Sequence, residues 1–483
     1  MGGRASAAAV VGSVLAVLAG AILPGPNLMA QSTDARVAAA AKRGDMEAVR
    51  TLVRQKVSVK VAQPDGSTAL HWAAHHDSLD MADVLIRAGA AVNAPNDLGV
   101  TPLSLACTNG SLAMTERLLQ GGANPNSTQA TGETALMTAA RTGNIDVVKA
   151  LVARGADVNR TESARGQSAL MWAVAQQHLP VARLLIEHKA EVRTGSAGGF
   201  TPLLFAARNG DLTGVRMLLD AGADVNEAAL DGHTALLVAT VRGQLELARF
   251  LLDHGANPNA SAAGYTPLHW AAGRWETGLT GPAGIPPQPS GEWSSLIGLQ
   301  AGRLDFIKTL IAHVANVNAR VTKTPPRFGF TLTDLPLVGA TPFFLASVAA
   351  DVTAMRLLLD NGADPLLPTT EGHTPLMAAA GFGRVIGETR VTEEAALEAT
   401  KLALQLGNDV NAATVNGETA LFGAVFTSAD SIARLLLERG INVNPRNKRG
   451  QTPLHFAEGT FYHGAYRSSK TIADMLRKAG GTT

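Results

Sequence analysis

GETALMTAARTGNIDVVKALVARGADVNRTESAR, residues 132–165, contains all the elements that decide the fold. Its first glycine permits the positive φ of a tight turn, and the hydroxyl of Thr134 can cap the N-terminus of a helix. Small and aliphatic residues follow at helical spacing, Gly143 interrupts them, and a second helical run ends at Gly155. The stretch therefore predicts two short helices, then a turn at the Asn of ADVN and an extended hairpin.

The same pattern, G-x-[TS]-[AP]-[LF], recurs along most of the chain. Successive glycines are 33, 33, 34, 33, 33, 32, 75, 33, 45 and 33 residues apart. These repeat glycines are Gly66, Gly99, Gly132, Gly166, Gly199, Gly232, Gly264, Gly339, Gly372, Gly417 and Gly450. A short helix pair cannot bury its apolar faces alone, so this period predicts an array in which neighbouring units stabilise each other.

The repeated residues resemble the ankyrin repeat family. GYTPLHWAAG, GHTPLMAAAG and GQTPLHFAEG, together with GADVN, are similar to its consensus, and the resemblance covers about residues 34–480. It implies an all-α repeat fold, an α-solenoid of about eleven repeats, in which antiparallel helix pairs stack side by side and β-hairpin fingers project from them. We expect N-terminal capping helices at 31–65, regular repeats 1–6 at 66–263, and repeats 7–11 at 264–483.

The C-terminal half departs from the period through insertions near residues 275–301, 321–337, 383–395 and 459–468. Insertions at one position of successive repeats emerge on one edge of a solenoid, and long loops are usually functional. The insertions also contain or adjoin aromatic residues that would suit a binding surface: Trp275, Trp293, Phe382, Phe461, Tyr462 and Tyr466. We expect an aromatic ledge that engages a partner; alternatively, the loops pack on one another and seal that edge.

The family offers a second surface, the concave one formed by fingertips and first helices. Positions after the repeat glycines vary and are expected to be exposed, among them Phe200, His233 and Tyr265. Arg141, Arg208 and Arg242 add first-helix positions to the candidate binding residues. Their mixed chemistry favours a protein or peptide partner over a polyanion.

Charge and motifs argue against several other functions. The formal net charge is +1, from 41 basic and 40 acidic residues without a basic run, so nothing favours nucleic-acid binding. His71 and His75 are four residues apart on a predicted helix, a spacing that can bind zinc. However, histidine recurs at the position of His71 in His269 and His455, which favours a scaffold role, so we expect neither metal nor cofactor.

The first thirty residues resemble a secretory signal peptide. An uncharged apolar segment from Ala7 to Leu23 follows Arg4 and precedes helix breakers, and Ala30 is the predicted cleavage site. The protein is therefore expected in the periplasm or secreted, with no other membrane insertion; an uncleaved anchor is the alternative. The single Cys107 excludes an intramolecular disulfide and is interpreted as a small buried side chain.

The sequence thus predicts a monomeric, non-enzymatic, exported scaffold that binds protein, similar to the long exported ankyrin proteins of bacteria. The alternative is a hydrolase-like or other enzyme whose acid–base site is formed by the insertions. Its candidate residues are Glu276, Glu292, Arg384, Glu388, Arg390, His463 and Arg467. A tethered structural protein is a third possibility, if the N-terminal segment is retained.

Overall fold

The computed structural model describes residues 34–273, 302–323, 335–384, 391–462 and 465–483 of the chain. The chain divides after Ala197 into two compact units, called unit 1 and unit 2 below. Most of the predicted insertion residues, including Trp275 and Trp293, lie outside the described residues. The all-α repeat fold is confirmed, with a single short two-stranded hairpin as the β-sheet of the described part.

Unit 1 consists of consecutive pairs of short helices. First helices pack on the first helices of adjacent pairs, and second helices pack on second helices. The helices, α1 to α10, are Arg36–Lys42, Met46–Arg54, Ala69–His75, Leu79–Arg87, Pro102–Asn109, Leu112–Gln120, Ala135–Thr142, Ile145–Ala153, Ala169–Ala175 and Leu179–Glu187. The odd-numbered helices of this unit are therefore the first helices of their pairs.

Unit 2 repeats the same arrangement. Its helices, α11 to α24, are Pro202–Asn209, Leu212–Asp220, Ala235–Val241, Leu245–Asp253, Pro267–Ala272, Arg303–Ala312, Pro342–Val348, Val352–Leu359, Pro375–Ala380, Glu393–Gln405, Ala420–Phe426, Asp430–Glu438, Pro453–Ala457 and Lys470–Lys478. Strands β1 (Thr460–Tyr462) and β2 (Ala465–Arg467) form an antiparallel hairpin in the last insertion, with Phe461 opposite Tyr466. The side chains of this hairpin lie outside the described part of the structure.

The helices begin and end where the sequence pattern indicates. In the repeat that starts at Gly132, the Thr134 hydroxyl accepts a hydrogen bond of 3.3 Å from the Met137 N–H, and Gly143 ends α7 with a φ of 80°. The spacing in α8 predicts an apolar side made of Ile145, Val148, Leu151 and Val152. In the structure Val147 is fully buried, whereas Ile145 and Val152 are only half-buried.

The repeat glycines from Gly66 to Gly417 allow their fingers to lie against the next one. Gly339 has a φ of +85°, and a Cβ atom at this position would lie 2.7 Å from the backbone nitrogen of Thr370. The Thr370 N–H donates a hydrogen bond of 3.0 Å to the Val338 carbonyl, the residue immediately before that glycine. Only glycine meets both the left-handed conformation and the close backbone approach.

The asparagine of the ADVN segment forms a second link between repeats. In unit 2 the Asn226 Nδ2 donates to the Gly255 carbonyl at 3.1 Å, while its Oδ1 accepts from the Asn257 N–H at 2.7 Å. Asn93, Asn126, Asn259 and Asn318 make the same pair of bonds to their following repeats. The asparagine is therefore a bridge between repeats as well as a turn residue.

The dual constraint on the repeat glycine can be tested with a matched pair of alanine variants. Gly450 has a similar φ of +74°, but no atom of the described residues lies within 4 Å of the position that its Cβ would take. Gly339→Ala should therefore lower the free energy of unfolding by about 1–3 kcal/mol more than Gly450→Ala, the usual cost of overpacking. Urea titrations of both variants measure this difference. Equal losses of unfolding free energy would mean that the positive φ alone requires glycine at both positions.

Candidate functional site

Each first helix has one face made of the side chains four, seven and eight residues after its N-cap residue. On a helix these positions lie on the same side. We call them the first-helix face and describe it separately in each unit. In unit 1 many of these side chains are partly exposed, unlike the rest of each first helix, where most side chains are buried between neighbouring helices.

At the N-terminal end of unit 1 this face contains a cluster of rings and cations. The Lys42 ammonium lies 4.9 Å from the centre of the Trp72 ring, and His75 meets that ring edge-on at 5.8 Å between centroids. The ring centroids of His75 and His76 are 5.3 Å apart, and the His76 Nε2 donates a hydrogen bond of 3.0 Å to the Lys42 carbonyl. Burial, followed by the neighbouring charge of His76, lowers the pKa of His75.

Arg141 and Trp172 form the other end of the face in unit 1. The Arg141 guanidinium stacks 5.0 Å from the Trp172 ring centre, and its Nη2 lies 3.5 Å from a carboxylate oxygen of Glu133. The same oxygen accepts a hydrogen bond of 2.7 Å from the Thr138 hydroxyl. The predicted site residue Arg141 is therefore partly exposed and held in a fixed position by an aromatic ring and a carboxylate.

In unit 2 the corresponding face is mostly buried. Val238 and Val241 of α13 are 0% and 1% exposed, and Trp270 of α15 is 1% exposed. The predicted site residues Arg208 and Arg242 are half-buried. Arg208 lies 5.1 Å from the Phe205 ring centre. Burial and the positive charge of Arg208 lower the pKa of Arg242, so these two cations influence each other.

The positions after the repeat glycines differ from their prediction. Phe200, His233 and Tyr265 are 2%, 7% and 2% exposed, so the expectation that they are exposed is wrong. The reason is that these side chains point between consecutive fingers. The Tyr265 hydroxyl donates to His233 Nε2 at 3.0 Å, and this bond links repeat seven to repeat six. The His233 Nδ1 lies 2.9 Å from a carboxylate oxygen of Asp231.

The predicted aromatic ledge has one described side chain, Phe382, and it is buried. Phe382 is 6% exposed and packs edge-to-face on Phe426 and on His373, with centroids 5.7 and 5.3 Å apart. It therefore belongs to the core of unit 2, contrary to its expected place on a surface. Trp275 and Trp293 lie outside the described residues, as do the side chains of Phe461, Tyr462 and Tyr466.

Arg384 is the described member of the predicted acid–base set, and it has a scaffold role. Its guanidinium donates to the carbonyls of Val348, Ser347 and Ala378 at 3.0, 3.2 and 3.1 Å. Burial lowers its pKa to about 10. These bonds satisfy carbonyl groups near the C-termini of two consecutive first helices, where the last carbonyls have no partner within their helix. The other six residues lie outside the described part or have side chains that do.

Polar side chains cap first-helix ends in other repeats too, a feature that the sequence reasoning missed. Arg303 donates to the Ala271 and Ala272 carbonyls at 2.9 and 3.1 Å and pairs with Asp351. Asn109 and His178 bind carbonyls of the preceding first helix in the same way, at 3.0 Å. The recurrence of polar side chains between the first and second helices of most repeats was the available signal.

The histidines of the repeat motif belong to the scaffold, as the sequence predicted. The His269 Nδ1 accepts from the Thr266 N–H at 3.1 Å, and its Nε2 donates to the Ala319 carbonyl at 2.9 Å. His71 makes equivalent bonds to Thr68 and to Val100. Both ring nitrogens of His71 are therefore used internally. Within the described ranges, no group of three metal-ligating side chains could hold a metal ion.

Cys107 is fully buried, and burial raises the pKa of its thiol to about 12, which fits a small core side chain. The helices of the part that the structure describes are all too short or too polar to cross a membrane.

Comparison with known families agrees with the helix pairs and linked fingers. The family described as "Ankyrin repeats (3 copies)" matches residues 18–96, 36–129, 88–162, 136–229, 203–277 and 391–467, which is more than half of the chain. The chain belongs to the ankyrin repeat family. Such repeats indicate a scaffold for protein–protein interaction, and members of the family are typically not enzymes.

Individual relatives are similar to parts of the chain. Ankyrin repeat and SOCS box protein 16 of Mus musculus is 33% identical over 117 residues, 24% of this chain and 25% of that protein. An ankyrin repeat protein of Acanthamoeba polyphaga mimivirus is 29% identical over 130 residues, 24% of this chain and 23% of that protein. The matches thus span about a quarter of these curated relatives.

Two solved structures are similar to just under half of the chain. The ankyrin repeat domain of human ASB11 is 27% identical, with a TM-score of 0.41, and covers 46% of this chain and 98% of its own. The ankyrin repeat domain of Bcl-3, a member of the IkappaB family, is 30% identical, with a TM-score of 0.39, and covers 42% and 93%.

The buried histidines should make the protein sensitive to acid. Burial lowers the pKa of His269 and of His373 from 6.5 to about 4, so the unfolded chain binds more protons between these values. Their contribution to stability is present above pH 6.5 and is lost as the pH falls toward 4, by about 1.4 kcal/mol per pH unit for each histidine. Urea midpoints measured from pH 7 to pH 4 should show this decline.

A glutamine variant separates His269 from the many carboxylates that also titrate below pH 5. His269→Gln removes the titrating ring, so the free energy of unfolding should be lower at pH 7 but should fall less steeply between pH 6.5 and pH 5. A variant whose pH dependence matched that of the wild type over this range would show that folding does not lower the pKa of His269.

Proposed function

We propose that this protein is a non-enzymatic, exported scaffold that binds a protein or peptide through its first-helix face. The proposal is carried by the partly exposed and positioned side chains of unit 1, above all Arg141 between Trp172 and Glu133. Rings and guanidinium groups that are held in place lose little conformational entropy on binding, which favours them at interfaces.

Arg141, Arg208 and Arg242 remain the proposed contact residues among the predicted set. Arg208 and Arg242 are half-buried, so a partner that binds the first-helix face of unit 2 would contact only part of each arginine side chain. Phe200, His233, Tyr265 and Phe382 would act indirectly, because their side chains fill the space between fingers or helices. Their substitution should lower stability before it alters recognition.

The proposed aromatic ledge can be tested by deleting residues 278–291 from the first insertion. If this segment contributes to a binding surface, the deletion should weaken partner capture in a crosslinking and mass-spectrometry comparison of the native envelope fraction, while the melting temperature stays within a few degrees. A large loss of melting temperature with capture retained would mean that the insertion supports the fold and that binding lies elsewhere.

Export and cleavage are tested by N-terminal sequencing of the mature protein. We expect the chain to begin at Gln31, since the apolar segment and the breakers that follow it resemble a cleaved signal peptide. An intact Met1 or Gly2 in a membrane fraction would favour the tethered alternative, and an intact N-terminus in the cytoplasm would refute export.

A further inference from the structure

The chain contains the dipeptide Asn-Gly at four places. Asparagine is a chemically labile residue, and it reacts most readily before glycine, because glycine has no side chain to shield its backbone nitrogen. The four asparagines are Asn109, Asn209, Asn361 and Asn416. The first three lie at or just after the C-terminal ends of α5, α11 and α18, whereas Asn416 lies in the finger that precedes α21.

The fold itself requires the glycine that follows Asn416. Gly417 is a repeat glycine with a φ of +81°, and a Cβ atom there would lie 2.5 Å from the Arg446 carbonyl oxygen. Among the residues that directly precede the eleven repeat glycines, Asn416 is the one asparagine. A reactive dipeptide is therefore fixed at the tip of this finger.

The asparagine side chains of the four dipeptides differ in their freedom to move. The Nδ2 of Asn109 donates two hydrogen bonds of 3.0 Å to carbonyls at the C-terminus of α3, and the Nδ2 of Asn361 donates one of 2.8 Å to a carbonyl of α18. Asn209 is half-buried. Asn416 is exposed, and its side-chain amide makes no hydrogen bond to any other described residue.

The backbone N–H of the glycine does not distinguish the four sites. The Gly417 N–H donates to the Thr414 carbonyl at 2.8 Å. The corresponding glycine N–H groups at the other three sites also donate to the carbonyl three residues earlier, at 2.9 to 3.1 Å. Because this bond must open at every site before the nitrogen can react, the difference between the sites lies in the asparagine side chain.

We propose that Asn416 is a site of spontaneous deamidation, which loosens the link between repeats ten and eleven. The Gly417 nitrogen attacks the Asn416 Cγ, a bond forms between these atoms, and the bond from Cγ to Nδ2 breaks. Ammonia leaves with the proton of the Gly417 N–H, and a succinimide ring remains. Water then opens the ring. Cleavage between the Gly417 nitrogen and Cγ gives aspartate, whereas cleavage between that nitrogen and the main-chain carbonyl carbon gives isoaspartate.

The isoaspartate product alters the contact between two fingers. The Lys448 N–H donates a hydrogen bond of 2.9 Å to the main-chain carbonyl of Asn416, which links the finger of repeat eleven to that of repeat ten. In isoaspartate the chain runs through Cβ and Cγ, so the backbone is one methylene longer and the former carbonyl belongs to a free carboxylate. The acceptor of the Lys448 N–H is then displaced, whereas the aspartate product keeps it in place.

The experiment incubates the purified full chain at 37 °C in mildly alkaline buffer, folded and in urea, and follows the four sites by peptide mass spectrometry. In urea the four asparagines should react at similar rates. In the folded chain Asn416 should react about tenfold faster than Asn109 and Asn361, whose side-chain hydrogen bonds must break first. Deamidation of folded Asn416 that is as slow as at the other sites would overturn the proposal.

Asn416→Ser is the matched control, because the Asn416 side chain is exposed and makes no hydrogen bond to the described residues. After incubation, hydrogen exchange in the peptide that contains Lys448 should be faster in the wild type, in proportion to its isoaspartate content, and unchanged in the variant. Unchanged exchange in wild-type protein that contains isoaspartate would refute the effect on the repeat link. Formation of aspartate without isoaspartate would refute it as well.

Discussion

Contact between the backbones of consecutive fingers is the constraint on which each unit depends. A helix pair of this length buries too little surface to be stable alone, so each repeat must be held in register with the next. The hydrogen bond from the Thr370 N–H to the Val338 carbonyl does this at the finger, and the absent Cβ of Gly339 makes it sterically possible. The asparagine bridges, such as that from Asn226 to Gly255 and Asn257, link consecutive repeats through the turn that follows each second helix.

The sequence predicts interactions within one repeat better than those between repeats. Thr134 as an N-cap and Gly143 as a helix end follow from local rules, and both are confirmed. The burial of Phe200 and Tyr265 could not be predicted in the same way. The hairpin pattern suggested exposed positions, but the neighbouring finger covers them, and helical or strand periodicity contains no information about that neighbour.

The candidate site shows the same limit. Arg141 was predicted as a binding residue from its place on a first helix, yet the residues that position it are Glu133 from its own finger and Trp172 from the following repeat. Arg384 was a candidate acid–base residue because its side chain is ionisable and lies in an insertion. Its hydrogen bonds to three carbonyl groups give it a capping role instead. In both cases the residue type indicated a polar role. Only the packing of adjacent repeats decides whether the side chain is available to a partner or stabilises the scaffold.

Burial of the first-helix face in unit 2 follows from its residue types and affects what that unit can recognise. Val238, Val241 and Trp270 occupy positions that are mostly polar or half-buried in unit 1. Large apolar side chains at such positions are stable only when they are covered, so replacing them with polar residues would expose the face at a cost in stability. The same fold thus supports two kinds of face. In unit 1 the first helices leave rings and cations accessible, whereas in unit 2 those positions contribute to the core.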